Sequence, residues 1–177
     1  MSRLQKLLED FSPVMSSHST ILLSFVIKQA CHIVLFSSNL DEMPYDNISV
    51  TAFILWDGKA LLAQRSDDDD FLPGYWEQVG GKVDPGETWE EALVREVKEE
   101  AGIEIRPLHS YNQFEYIHRD KGFMCEYAYI CELVGKPDIS LGNEHKDYKW
   151  LELEELDDVQ PMSDYMRGVM REGFEEV

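Results

Sequence analysis

Between Thr88 and Gly102 the chain specifies a helix with both ends marked. Thr88-x-x-Glu91 is a capping-box pattern at the start, and Gly102 follows Ala101 as a stop. Within that helix Glu96, Glu99 and Glu100 are related by i,i+3 and i,i+4 spacing, so their carboxylates project within an arc of ~100°. Val94, Val97 and Ala101 fall on a different face, which is expected to bury against a sheet. Glu91, Arg95 and Glu99 form an i,i+4 ladder in which the arginine braces the third carboxylate. Three carboxylates on one face repel each other unless a cation sits among them. An all-oxygen set suits Mg²⁺ or Mn²⁺ rather than zinc. A lone acidic face is ordinarily just solvated, so the surrounding segment has to decide.

That surrounding segment has the period of strands. Val50–Trp56 is rich in β-branched and aromatic residues, Asp57–Gly58 is a hairpin turn, and Lys59–Arg65 returns. Asp67–Asp70 and the following Phe71–Gly74 read as an exposed, solvated loop. Tyr75–Val79 is a short strand ending in Gly80–Gly81. After the helix come Ile103–Pro107, then Tyr111–His118 and Phe123–Leu133 joined through Arg119–Gly122, then Tyr148–Leu153 and a final helix from Pro161 to Phe174. Strands on both sides of a central helix predict an α+β sandwich with a mixed sheet. Residues 1–44 have helical spacing, with Leu4, Leu7, Leu8 and Phe11 before a break at Pro13 and Ile21–Gln29 after it. The expected organisation is therefore a helical extension and linker over 1–44 and one domain over 45–177.

The 177 residues carry a formal net charge of −19, and the acidity is confined to residues 41–177, with 13 basic against 33 acidic side chains. Nucleic acid and anionic membrane surfaces both need a basic face, so neither is an expected partner. An anionic substrate would need its charge neutralised, most simply by a divalent cation. The longest apolar stretch, Ile21–Phe36, is interrupted by Lys28, Gln29 and His32 and is shorter than the ~18–20 apolar residues of a membrane span. Cys31, Cys125 and Cys131 show no metal-binding spacing. Six positions apart on one strand, Cys125 and Cys131 would be ~20 Å from each other, beyond disulfide reach. A reduced, cytoplasmic setting is the expectation.

The segment Gly81–Ile103, GKVDPGETWEEALVREVKEEAGI, resembles the signature of the Nudix hydrolases, G-x5-E-x7-R-E-U-x-E-E-x-G-U with U aliphatic. Gly81, Glu87, Arg95, Glu96, Val97, Glu99, Glu100, Gly102 and Ile103 fill every fixed position. The resemblance implies the Nudix fold, an α/β/α sandwich. It also implies Mg²⁺-dependent hydrolysis of a diphosphate linkage in a nucleotide, with Mn²⁺ as a substitute ion. By position, Glu96, Glu99 and Glu100 look like the metal-binding and catalytic set, with Gly80 or Gly81 supplying a carbonyl ligand. Arg95 and Glu87 look like the pair that holds the loop and orients those carboxylates, and Gly81, Glu87 and Gly102 are the structural positions. Arg65 and Lys82 resemble family positions that contact substrate phosphate. Glu144, in Glu-His-x4-Trp, is the first candidate for a further acid from outside the helix, with Glu115 second.

Val79 stands where many members have Pro. The proline of ADP-ribose pyrophosphatases falls here at Arg119, and the tyrosine of dinucleoside polyphosphate hydrolases has no match at its usual offset, Tyr116 lying early. Elimination leaves the nucleoside-triphosphate, mutator-type group, with ADP-ribose, nucleotide sugars and dinucleoside polyphosphates as alternative substrates. A non-catalytic nucleotide sensor competes, but the signature has lost no residue. A relative of the isopentenyl-diphosphate isomerases competes too, but shows no motif of its own. The expected partner is a small nucleotide, and the family allows a homodimer. Trp76, Phe53 and Tyr127 are expected in the core rather than at a base, and His109, His118 and His145 show no ligand spacing.

Overall fold

The computed structural model describes residues 45–118 and 121–177. The helices expected in 1–44, Cys31 with them, and Arg119 and Asp120 lie outside the described residues. Strand β1 (Asn47–Trp56) is buried without a break from Val50 to Ile54, which is why that stretch is apolar at every position but Thr51. Asp57 and Gly58, both at positive φ, turn it into β2 (Lys59–Arg65), with Trp56 opposite Lys59.

The expected strand at 75–79 is in fact two. β3 (Trp76–Glu77) pairs with β2, and β4 (Val79–Lys82) pairs with β1, so Gln78 is the point where the chain changes partner. The expected break between 107 and 111 is absent: β5 runs from Glu104 to His118 as one strand. Register shifts after Pro107 and Ser110 absorb the irregularity. β5 is the last strand in the order β3-β2-β1-β6-β5, where a proline without an N–H is tolerated. β6 (Gly122–Val134) is antiparallel to β5 and parallel to β1, and β7 (His145–Leu151) pairs with β2. The result is a seven-stranded mixed sheet.

Helix α1 (Trp89–Ala101) lies on one face of this sheet, against β4, β5 and β1. Its capping box is complete: Glu91 N donates to Thr88 Oγ1 at 3.2 Å and Thr88 N donates to Glu91 Oε2 at 2.9 Å. Gly102, at φ 71°, closes it by donating its N–H to the Lys98 carbonyl. Thr88→Ala removes one of these acceptors and is expected to cost about 1 kcal/mol, read as a lower urea midpoint at unchanged slope.

The buried stripe of α1 is Ala92, Leu93, Val97, Glu100 and Ala101. Val94 is 38 % exposed, contrary to expectation, because Leu93 rather than Val94 is in phase with Val97 and Ala101. That rotation carries Glu100 inward.

On the opposite face, a short 3-10 helix (Leu153–Asp158) precedes α2 (Asp164–Glu175). The expected strand 148–153 therefore ends earlier, and the last helix begins three residues after Pro161, at Ser163 as N-cap. Phe53, Leu62, Ile130, Leu156, Met166 and Met170 fill the space between the sheet and α2. Phe53 meets Phe174 edge-on at 5.1 Å. Arg167 ties the layer together by donating to the Val159 carbonyl at 3.0 Å. Phe53 and Tyr127 are core residues as expected, and Tyr127 stacks on Trp89 at 4.3 Å. Cys125 and Cys131 are buried and unbridged on β6. Among the described residues no helix is long and apolar enough to cross a membrane.

Candidate active site

A cleft of about 790 Å³ opens where β1 exchanges β4 for β2 as its partner. Glu96 and Glu100 of α1, Gly80 and Gly81 of β4, Arg65 at the end of β2, and Glu144 before β7 all line it. The sequence separates these groups by up to 79 positions, and the fold brings them to one wall. Gly80 donates its N–H to Glu100 Oε2 at 2.8 Å, tying the strand to the helix. A Cβ on Gly81 would stand 2.4 Å from the Glu96 carboxyl carbon, so the strand and the carboxylate approach as closely as only glycine permits.

Arg95 organises the entry to the helix. Its Nε and Nη2 donate to the two oxygens of Glu87 at 2.7 and 2.8 Å, a bidentate pair. Nη1 donates to Glu96 Oε1 at 2.8 Å, and Nη2 also reaches the Lys82 carbonyl at 3.1 Å. One guanidinium thus binds the loop carboxylate, the loop backbone and a cleft carboxylate together. Hydrogen bonds from Arg95 bring Glu87 down to about 2, and the same contacts hold the Arg95 guanidinium firmly protonated.

The cleft carboxyls behave in the opposite sense. Burial pushes Glu100 up to about 8, reinforced by the charges of Glu77, Glu144 and Glu96 and only partly offset by the Gly80 N–H. Burial also raises Glu96, against the pull of Arg95. A wall of carboxyls that resists its own ionisation is relieved by a hard cation, and oxygen-only donors match one. Glu96, Glu100 and Glu144 therefore fit a divalent ion. Among the described residues, however, no three Asp, Glu, His or Cys side chains are already gathered closely enough to coordinate one.

Not every predicted residue meets here. Glu99 does not line the cleft. It is 62 % exposed and sits 3.5 Å from Arg95, as the ladder anticipated. Lys82 lines the cleft at an exposed position, while Gly102 serves the helix end. Glu115 accepts from the Tyr45 hydroxyl at 2.6 Å and borders neither cavity described here. Arg65 reaches the cleft with its Nη atoms already bound, by Glu77 and Asp69, each at 2.6 Å. Asp69 is thus a partner rather than a solvated loop residue, and its carboxylate also accepts from the Phe71 N–H. Thr51, Arg65 and Gln78 line the cleft, and their buried Oγ1, Nε and Oε1 atoms find no hydrogen-bond partner among the described residues.

Sequence reasoning also missed several groups. Glu77 accepts from Arg65 and meets His145 Nε2 at 3.1 Å, and the His145 side chain is almost fully buried. A second cavity of about 230 Å³ adjoins the cleft through Phe71, Glu77, Tyr116, Glu126 and Met166. Phe114, Tyr165 and Trp76 complete its aromatic wall, so Trp76 serves both the core and this cavity. Of these, the sequence singled out only Trp76 and Tyr116, and neither as part of a cavity. The lining residues are separated by up to 95 positions.

Residues 46–176 match the NUDIX domain. The chain belongs to the Nudix family. It is 34 % identical over 110 residues to the nucleoside triphosphatase NudI of Escherichia coli O81 (strain ED1a), an alignment covering 56 % of this chain and 77 % of that protein. It is 36 % identical over 100 residues to the 8-oxo-dGTP diphosphatase of Haemophilus influenzae, covering 56 % and 71 %. The crystal structure of the MutT protein from Methanosarcina mazei Go1 superposes with a TM-score of 0.65 at 31 % identity, covering 76 % of this chain and 96 % of that one. The signature and the mixed sheet between α1 and α2 are thus those of a Nudix hydrolase, a family that works with divalent cations.

Proposed function

We propose that this Nudix hydrolase cleaves the diphosphate linkage of nucleoside triphosphates, oxidised ones included, to the monophosphate and pyrophosphate, with Mg²⁺. The observation that carries the reading is the buried Glu100 carboxyl at the wall of a cleft that continues into an aromatic cavity. Triphosphate and base thereby receive adjoining compartments. The names of the two relatives, a nucleoside triphosphatase and an 8-oxo-dGTP diphosphatase, point the same way.

Bound Mg²⁺ would supply charge neutralisation and electrophilic pull on the phosphate oxygens, with Glu96, Glu100 and Glu144 as its holders and Glu99 and the Gly80 carbonyl as further candidates. Water adds its oxygen to a phosphorus of the linkage in line with the departing oxygen, and the P–O bond to pyrophosphate breaks. The proton lost by water is taken by a cleft glutamate. We assign this to Glu100, whose Oε2 accepts from the Gly80 N–H at 2.8 Å and whose side chain lines the cleft. Arg95 acts through Glu96 and Glu87, positioning the first and immobilising the loop. Lys82 meets substrate phosphate, and Arg65 joins it where phosphate displaces Asp69.

The test is pyrophosphate release from canonical and oxidised triphosphates, with ADP-ribose, nucleotide sugars and dinucleoside polyphosphates alongside, in Mg²⁺ and in EDTA. EDTA-sensitive release from a triphosphate is the expected result. Turnover confined to another class would replace the substrate, and Mg²⁺-dependent binding without turnover would replace catalysis by sensing.

A further inference from the structure

The mechanism makes no use of Glu126, the carboxyl on the floor between the cleft and the aromatic cavity. It lies at the middle of β6, opposite Ser49 of β1 and Phe114 of β5, and faces α2. The Tyr165 hydroxyl donates to its Oε1 at 3.0 Å. Tyr165 in turn stacks on Phe114, with ring centroids 3.9 Å apart, and Phe114 stacks on Tyr116. The carboxyl is therefore held by one oxygen at the edge of an aromatic tier, with the other oxygen left over.

Its neighbour Glu77 is compensated by Arg65 and His145, whereas no ion pair to Glu126 forms among the described residues. Burial pushes Glu126 up to about 7, moderated by the Tyr165 hydroxyl and raised further by the Glu77 charge. Tyr165 is itself driven upward by burial and by Glu126, so it stays a donor. A carboxyl kept in an apolar slot at such cost, with a free acceptor oxygen beside stacking rings, is placed to receive a hydrogen bond from a flat ligand.

Resting on the triphosphate reading, we infer that Glu126, oriented by Tyr165, selects nucleotides whose base carries an exocyclic amino group over their oxo counterparts. An amino N–H donates to the free carboxylate oxygen. A carbonyl at the same place sets two acceptors against each other and leaves a partly buried carboxyl oxygen unpaired, a penalty that a site built around a polar contact does not escape. Cytosine over uracil and adenine over hypoxanthine are two pairs that exchange an exocyclic amino group for an oxo group at a fixed ring size.

The experiment compares kcat/KM for CTP with UTP and for ATP with ITP, in the full chain and in Glu126→Gln. It also compares metal-free binding of CMP with UMP and of AMP with IMP by calorimetry. The wild type is expected to favour the amino member of whichever pair it handles by about 10- to 100-fold. Glu126→Gln, whose amide can donate to a carbonyl, is expected to bring that ratio near or below one. A structural role alone would lower both members together and leave the ratio where it was. Equal rates and equal binding within each pair in the wild type, or an unchanged ratio in Glu126→Gln, would overturn the inference. Should that variant fail to fold, Tyr165→Phe keeps the ring and removes the orienting hydroxyl, and it is expected to narrow the ratio several-fold. Absence of triphosphate turnover with selective binding of CMP over UMP or of AMP over IMP would discard the hydrolytic reading and keep this one.

Discussion

Glu100→Gln is expected to lower kcat by ~10²–10⁴ while leaving the fold intact. The amide is close in shape to the carboxyl and still accepts the Gly80 N–H, so the tie between β4 and α1 survives. What is lost is the group that takes a proton and offers negative oxygen to a cation. Steady-state pyrophosphate release, with circular dichroism to check the fold, reads both halves of the expectation. A rate within a few-fold of wild type would remove Glu100 from the chemistry and turn attention to Glu96 and Glu144.

The same substitution is expected to raise stability in the absence of a divalent ion. Glu100 is only 6 % exposed, and its folded-state value of about 8 lies above the ordinary 4.5 that it regains on unfolding. A carboxyl shifted in that direction favours folding fully below its unfolded value, and that contribution is lost as pH rises toward the folded one. Between about pH 4.5 and 8 the wild type should therefore lose on the order of 3 kcal/mol that Glu100→Gln does not lose. In EDTA near pH 8 the variant should melt about 10 °C higher, and near pH 4 the two should coincide. Adding Mg²⁺ should raise the wild type and leave the variant nearly unmoved. Parallel melting curves across this range would mean that Glu100 is not held at a cost for the sake of its ligand.

The helix was legible because its ends and its fixed positions are local: Thr88, Glu91 and Gly102 specify the caps without help from the rest of the chain. Its rotation was not. Glu96, Glu99 and Glu100 are equivalent by spacing, and only the burial of Leu93 and Val97 against the sheet sends Glu100 inward and leaves Glu99 outside. The hairpin at Asp57–Gly58 was equally local.

Arg65 shows the limit of reading a cation by position. Its engagement depends on Asp69 across a turn and on Glu77 from another strand, neither of which sequence distance reveals. Glu126 was invisible for a related reason, as a single acidic residue in an apolar strand with its partner Tyr165 39 positions later. β5 was broken in expectation at Pro107–Ser110, where bulges at the edge of the sheet kept it whole.

Residues of β6 alternate between the two faces: Tyr127 stacks on Trp89 at the start of α1, while Glu126 meets Tyr165 of α2. Two adjacent positions of one strand thus serve separate offices, one beneath the helix that carries Glu96 and Glu100 and one beneath the aromatic cavity. On the proposed reading, changes on the α2 face would alter which nucleotide is admitted while the opposite face keeps its packing. Such a layout lets one hydrolytic apparatus acquire new diets by exchange of a handful of side chains, with little disturbance to the part that breaks the bond.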